Sequence, residues 1–237
     1  MFMSTLSDLI DSIREVLQDD SYVDENLVIK INDAVTAIAA GIRMPDGMIS
    51  PPLPDLYAVG TVDTSTTLPY VPLPADYQRG VFNVYDSSNN KIAPPSGGNY
   101  HAFGLFLKQI QNMGLAEIGA VYRVAVKGSR LYYQGIPSVA TTLGIHYYRK
   151  PVDLALDGDV VDGIPAHLHT RLVKNYVLKE IFGEAIEDGQ DNRGMATKYH
   201  TGKFYEAMTD LVDFIGIDAV PEYYGGEISS DYGACDG

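Results

Sequence analysis

Apolar residues recur at helical spacing through the first forty positions. Leu6, Leu9, Ile10, Ile13, Val16 and Leu17 form one stripe, so a helix is predicted there. Thr5 offers an N-cap and Asp8, three residues on, completes a capping-box pattern. Asp19-Asp20-Ser21 interrupts the stripe. A second helix is predicted from near Asp24, with Leu27, Ile31, Ala34, Val35, Ile38 and Ile42 on one face. Pro45 is expected to stop it, because proline disfavours helix at the preceding residue and lacks an N–H. Two amphipathic helices joined by a short turn predict an antiparallel pair.

From about Pro51 to Pro151 the helical period is mostly lost and prolines become frequent. Tyr57–Asp63 and Val81–Tyr85, rich in Val, Tyr and Thr, predict strands. Asp86 to Asn90 predicts a turn, after which Lys91-Ile92-Ala93 can pair back. A hairpin is predicted from Val121–Val126 and Leu131–Gln134 around the turn Lys127-Gly128-Ser129-Arg130, with a further strand over Thr142–Tyr148. Tyr100 to Met113 predicts a short helix.

Helical spacing returns after Asp157-Gly158-Asp159. Pro165 suits a first turn, and Leu168, Leu172, Val173, Tyr176, Val177, Leu178, Ile181, Phe182, Ala185 and Ile186 follow. At 100° per residue they surround most of the helix. It is therefore expected to be central in its own core, or to touch a second body on its outer side. A last helix is predicted from near Asn192 to Ile215, carrying Met195, Tyr199, Tyr205, Met208, Leu211, Val212 and Ile215 and stopped by Gly216. Beyond it the pattern is aperiodic, punctuated by Tyr223, Tyr224 and Tyr232. An extended arm that lays these tyrosines into a partner's pockets accounts for them. The expected class is α+β. Residues 1–50 with 152–216 form a helical bundle, 51–151 an inserted β-rich module, and 217–237 an extended C-terminal arm.

Composition narrows the function. At 237 residues, 46% hydrophobic and 20% charged, the chain can bury a sizeable core. It has no run of about 18 apolar residues, so no spanning helix is expected. Its start, Met1-Phe2-Met3-Ser4, lacks the basic and apolar regions of a secretion signal, so synthesis in the cytoplasm is expected. The net charge of −14 argues against gripping nucleic acid by its phosphates. A channel that DNA slides through, however, benefits from walls that do not hold it. From Phe204 onward there are eight acidic residues and no Lys or Arg.

Candidate chemistry is sparse. Cys235 is alone, so it offers neither an internal disulfide nor a thiolate metal set. His167-Leu168-His169 resembles a ligand pair, but i and i+2 on a helix point about 200° apart, and two surface histidines are expected. His101, His146 and His200 stand alone. A calcium loop counted from Asp157 fails, with Val161 at position 5, Asp162 at position 6 and Leu168 at position 12, so a polar linker is expected. Glu180, Glu184, Glu187, Asp188 and Asp191 gather beside Gly183, Gly189 and Gln190, which suggests a solvated turn rather than acid–base work. Gly202-Lys203-Phe204 lacks phosphate-loop spacing and its hydroxyl. Arg149-Lys150 and Arg171/Lys174 are too few to read nucleic acid. No catalytic, cofactor or metal residue is assigned.

Three stretches carry a family likeness. Tyr22-Val23-Asp24 leads into Val28-Ile29-Lys30-Ile31-Asn32-Asp33-Ala34. Leu68-Pro69 precedes Leu73-Pro74-Ala75-Asp76-Tyr77-Gln78-Arg79-Gly80, where Asp76 is expected to bond nearby backbone N–H groups. His146-Tyr147-Tyr148-Arg149-Lys150-Pro151 is followed by Ile164-Pro165-Ala166-His167-Leu168-His169, Leu178-Lys179-Glu180-Ile181-Phe182 and Ile186-Glu187-Asp188-Gly189. Together these resemble the head-to-tail adaptors of tailed bacteriophages, which sit beneath the portal, and the large β module is similar to short-tailed phage types. The likeness spans roughly residues 5–215.

It implies a non-enzymatic virion protein without cofactor or membrane, forming a ring, typically of about twelve copies. The ring joins the portal to the next tail component, such as a nozzle, and lines the channel by which the genome leaves. The C-terminal arm docks on the portal, with Tyr223, Tyr224 and Tyr232 as its expected partner-binding residues. Ring closure needs two different faces per subunit, and the all-round apolar helix is expected to supply more than one. Two other readings compete. One is a tail nozzle or head-completion protein. The other, from a different class, is a hydrolase or carbohydrate-binding module, which requires an exposed aromatic row from Tyr57, Tyr122 and Tyr147.

Overall fold

The computed structural model describes residues 4–18, 22–95, 99–110, 117–187 and 193–216. Helices and antiparallel strands coexist, so the class is α+β. The chain folds into two compact units. One is built from Met1–Leu56 with Lys150–Ala219, and the other centres on Tyr57–Arg149.

In the first unit α1 spans Leu6–Leu17. Its capping box forms: the Asp8 N–H donates to Thr5 Oγ1 at 3.3 Å and the Thr5 N–H donates to Asp8 Oδ2 at 2.9 Å. Helix α2 spans Asp24–Ala40. It ends well before Pro45, correcting the predicted stop. Gly41 takes φ 105°, a conformation glycine adopts without strain, and its N–H caps the carbonyls of Ala37 and Ile38. Ile42 therefore lies past the helix, though it still packs on the core.

The run after Pro165 is not one uniform helix. Pro165 has ψ 132° and precedes the first turn rather than entering it. A 3₁₀ turn over Ala166–Leu168 and a π-helical segment over Thr170–Lys174 come before the regular helix α4, Asn175–Glu187. A π turn accommodates an extra residue and so rotates the face that follows. Leu168, Leu172, Val173, Val177, Leu178, Ile181 and Phe182 are all buried in a single cluster. Leu9 and Ile13 of α1, Leu27 and Ile31 of α2, and Phe204 and Met208 of the last helix complete it. Between residues 171 and 185 only Arg171, Glu180 and Glu184 are exposed. The all-round apolar helix is thus central in its own core. Its large apolar side chains are spent internally, so the expectation that they form outward apolar faces for a ring is corrected.

The last helix, α5, spans Gly194–Ile215, and Gly216 closes it by donating its N–H to Val212. Its buried face is His200, Phe204, Ala207, Met208 and Leu211, at spacings of four, three, one and three. Met195 and Tyr199, predicted on the apolar face, instead point to solvent at 85% and 60% exposure. The residue that sets the phase is Phe204, which the predicted face omitted.

The segment between Arg149 and α4 ties this unit together. The Asn32 side chain donates to the Leu154 carbonyl at 3.0 Å and accepts from the Leu154 N–H at 2.8 Å, as a neighbouring strand would. The N–H groups of Leu6 and Ser7, unpaired within α1, donate to the carbonyls of Asp159 and Asp157. Asp159 folds its own loop, accepting from the N–H groups of Ala155 and Leu156 at 2.8 Å each.

The second unit contains β1 (Tyr57–Asp63), β2 (Tyr70–Pro72), β3 (Tyr77–Tyr85), helix α3 (Phe103–Gln109), β4 (Arg123–Lys127), β5 (Arg130–Gln134) and β6 (Thr142–Arg149). Two antiparallel three-stranded sheets form, in the orders β1-β6-β3 and β2-β5-β4. The β4–β5 turn is tighter than predicted, with only Gly128 and Ser129 between the strands. Gly128 at φ 59° takes the first central position, as a type II′ hairpin requires. Strand β2 was not anticipated. It is three residues long and ends in proline, which is tolerated at a sheet edge. Val81, Val84, Val124, Leu131, Tyr133 and Ile145 lie in the core of this unit. Tyr133 keeps its hydroxyl satisfied there by donating to the Leu68 carbonyl at 2.7 Å and accepting from the Ser65 N–H at 2.7 Å.

Asn32→Ala strands both polar groups of Leu154 and is expected to cost about 1–3 kcal/mol in urea unfolding. Asn32→Asp, which can still accept from the Leu154 N–H, should lose less.

Candidate functional site

Each histidine serves the fold. His169 is 1% exposed, correcting the expectation of two surface histidines. Its Nε2 lies 2.7 Å from the Ile164 carbonyl, to which it donates, and burial holds its pKa below the usual value. His167 is exposed and meets the Phe214 ring edge-on at 5.0 Å. The two do not converge. His146 Nδ1 shares a hydrogen bond of 2.7 Å with the Tyr57 hydroxyl, within an aromatic group that includes Phe82 and Tyr85. His200 Nδ1 lies 2.8 Å from Asn175 Oδ1. His101 Nε2 accepts the Val81 N–H at 3.0 Å.

Several carboxylates are occupied as well. Asp76 accepts from the Tyr147 hydroxyl at 2.7 Å, a longer-range role than the local turn bonding predicted from sequence. Burial first, and that hydrogen bond second, push the Tyr147 hydroxyl pKa up. Glu184 pairs with Lys30 at 2.7 Å and Glu180 with Lys179. Asp188, Asp191 and the side chain of Glu187 lie outside the described residues. Among the described residues no group of three or more His, Cys, Asp or Glu side chains is placed to hold a metal ion. The aromatic row needed for sugar stacking is not assembled. Tyr147 is 3% exposed, Tyr57 packs against Phe82 and His146, and Tyr122 flanks the other sheet.

Among the described residues, two hollows of unlike charge lie on the first unit. One, of about 200 Å³, is lined by Lys30, Asp33, Tyr176, Val177, Glu180 and Glu184. The other, of about 300 Å³, includes Val16, Arg171, Lys174, Tyr199, His200 and Lys203. Burial, with Lys174 nearby, lowers the His200 pKa, so this imidazole adds little charge near neutral pH. Arg171 and Lys174 stand out in the sequence as a basic spot, whereas Tyr199 reads there as core. Phasing α5 from Phe204 would have exposed it. Tyr223, Tyr224 and Tyr232, the predicted partner-binding residues, lie outside the described residues. No helix among the described residues is long and apolar enough to cross a membrane.

The His101 bond carries a pH signature. Nε2 accepts a proton-bearing partner only while unprotonated, and burial lowers the folded pKa from 6.5 to about 4. The stability that neutral His101 supports is complete above pH 6.5 and is lost as the pH falls from 6.5 toward 4. The loss reaches up to about 3 kcal/mol. His101→Gln is expected to flatten stability across that window, as read by denaturant unfolding at each pH. An imidazole resonance of His101 titrating at the ordinary value would contradict the buried acceptor role.

A model of the family described as SU10 adaptor protein matches residues 4–224, nearly the whole chain. A search of curated proteins finds no match.

Proposed function

We propose that this chain, which belongs to the SU10 adaptor family of phage head-to-tail adaptors, is a non-catalytic subunit of a ring of about twelve copies beneath the portal. The ring joins the portal to the next tail component, a nozzle in a short-tailed phage, and lines the channel by which the genome leaves. The protein is a structural component of the virion, located at its neck and assembled in the host cytoplasm. The observation that carries this reading is the family match over residues 4–224.

Physical features support it. Histidines and carboxylates that catalysis would need are committed to backbone and side-chain partners within the fold. The net charge of −14 suits a lumen that repels DNA phosphates instead of binding them. In this reading residues 1–50 and 152–216 are the helical body of the ring, residues 51–151 an inserted β-rich module, and residues 217–237 an arm. That arm docks on the portal through Tyr223, Tyr224 and Tyr232, since tyrosine supplies large contact area at small entropic cost.

A Tyr223→Ala/Tyr224→Ala double variant is expected to bind purified portal about tenfold or more weakly, measured by surface plasmon resonance at fixed salt. Full affinity would sink the arm's role. Failure of the unaltered chain to bind any portal would sink the adaptor reading itself.

A further inference from the structure

The two hollows of the first unit are complementary in more than charge sign. On the basic side, Arg171 and Lys174 come from the π-helical segment, Lys203 from α5 and Val16 from α1. Tyr199 stands on that wall at 60% exposure, and Met195, one turn earlier on α5, is 85% exposed. Arg171 is bonded to Asp210 and Lys203 to Glu206, so their charges are partly offset. Lys174 makes no ion pair among the described residues.

The acidic side carries the opposite excess of charge. Glu180 and Glu184 come from α4 and Asp33 from α2. Ile29, one turn before Asp33, is 59% exposed. Lys30 offsets Glu184 and Lys179 offsets Glu180, while Asp33 makes no ion pair among the described residues. Lys174 and the two glutamates belong to one continuous helical run and point roughly 80–120° apart around it. The faces are therefore distinct surfaces.

We infer that the acidic face of one copy docks on the basic face of a second copy, with Ile29 set against Tyr199 and Met195. The contact is heterologous, because like faces would oppose charges of one sign, whereas unlike faces pair Asp33 with Lys174, the two groups left without ion pairs. Exposed ion pairs contribute little affinity singly. Their role is to set partner and register, while the exposed Ile, Met and Tyr side chains supply apolar contact. This inference rests on the ring reading and specifies which surfaces meet.

The test uses the full chain, unlabelled and ¹⁵N-labelled, mixed in equal amounts and treated with a carbodiimide that joins amines to carboxylates. Mass spectrometry is expected to find light–heavy links from Lys174 or Lys203 to Asp33, Glu180 or Glu184. Light–heavy links confined to other positions overturn this contact and leave the ring standing. Absence of any light–heavy link overturns both. A second arm compares Lys174→Glu/Lys203→Glu with Glu180→Lys/Glu184→Lys, each verified as folded by circular dichroism. Each alone is expected to self-associate about tenfold more weakly by sedimentation, and mixing the two should restore association. Wild-type association of either variant, or no recovery on mixing, overturns the contact. The cross-linking arm needs no variant, so misfolding of a charge-reversed chain cannot rescue the idea.

Discussion

A helix apolar on every side must be surrounded, and in this chain that constraint organises the first unit. Leu172, Val173, Val177, Leu178, Ile181 and Phe182 cannot face water without exposing several large side chains at once. Helices α1, α2 and α5 close around them, drawing residues from both ends of the chain into one core. The π-helical turn at Thr170–Lys174 rotates the run so that only Arg171, Glu180 and Glu184 emerge between residues 171 and 185. Because the apolar surface of this helix is spent internally, contacts with other molecules have to use mixed faces, in which charge and isolated apolar side chains share the work.

The polar groups follow from the same enclosure. A bundle joined by a long connection carries helix ends and loop backbone that need partners. Asn32 pairs with both polar groups of Leu154, and the first N–H groups of α1 find the carbonyls of Asp157 and Asp159. Asp157-Gly158-Asp159, which has the look of a cation loop, gives the carbonyls of Asp157 and Asp159 to α1 and the Asp159 carboxylate to its own loop. His169 and Asp76, groups that invite catalytic interpretation, also bond within the fold, His169 through Nε2 to the Ile164 carbonyl and Asp76 to the Tyr147 hydroxyl. These groups serve the shape of the first and second units through the partners they make.

Local signals were legible where local chemistry decides the outcome. The Thr5–Asp8 capping box, the strand Tyr57–Asp63 and the hairpin around Gly128 are written in adjacent residues and formed as expected. Signals failed where tertiary packing decides. The end of α2 went to Gly41 rather than Pro45 because a left-handed glycine can close a helix before a proline is reached. The phase of α5 could not be set from Met195 and Tyr199, since an exposed apolar residue reads like a buried one until Phe204 fixes the face. The short β2 has too few residues to show an alternation. His169 looked like surface because nearby His167 is, although two residues, about 200° on a helix, separate buried from exposed. The candidate faces needed the fold, because Asp33 and Glu184, or Lys174 and Lys203, are far apart in sequence.

In the proposed ring these faces join copies of the chain around an acidic channel on a portal. Electron microscopy of the purified full-length chain mixed with its portal tests it most directly. A closed ring of copies seated coaxially on the portal, with an open axial channel, is the result this account predicts. Particles in which the chain stays as isolated monomers, with the portal bare, would contradict it.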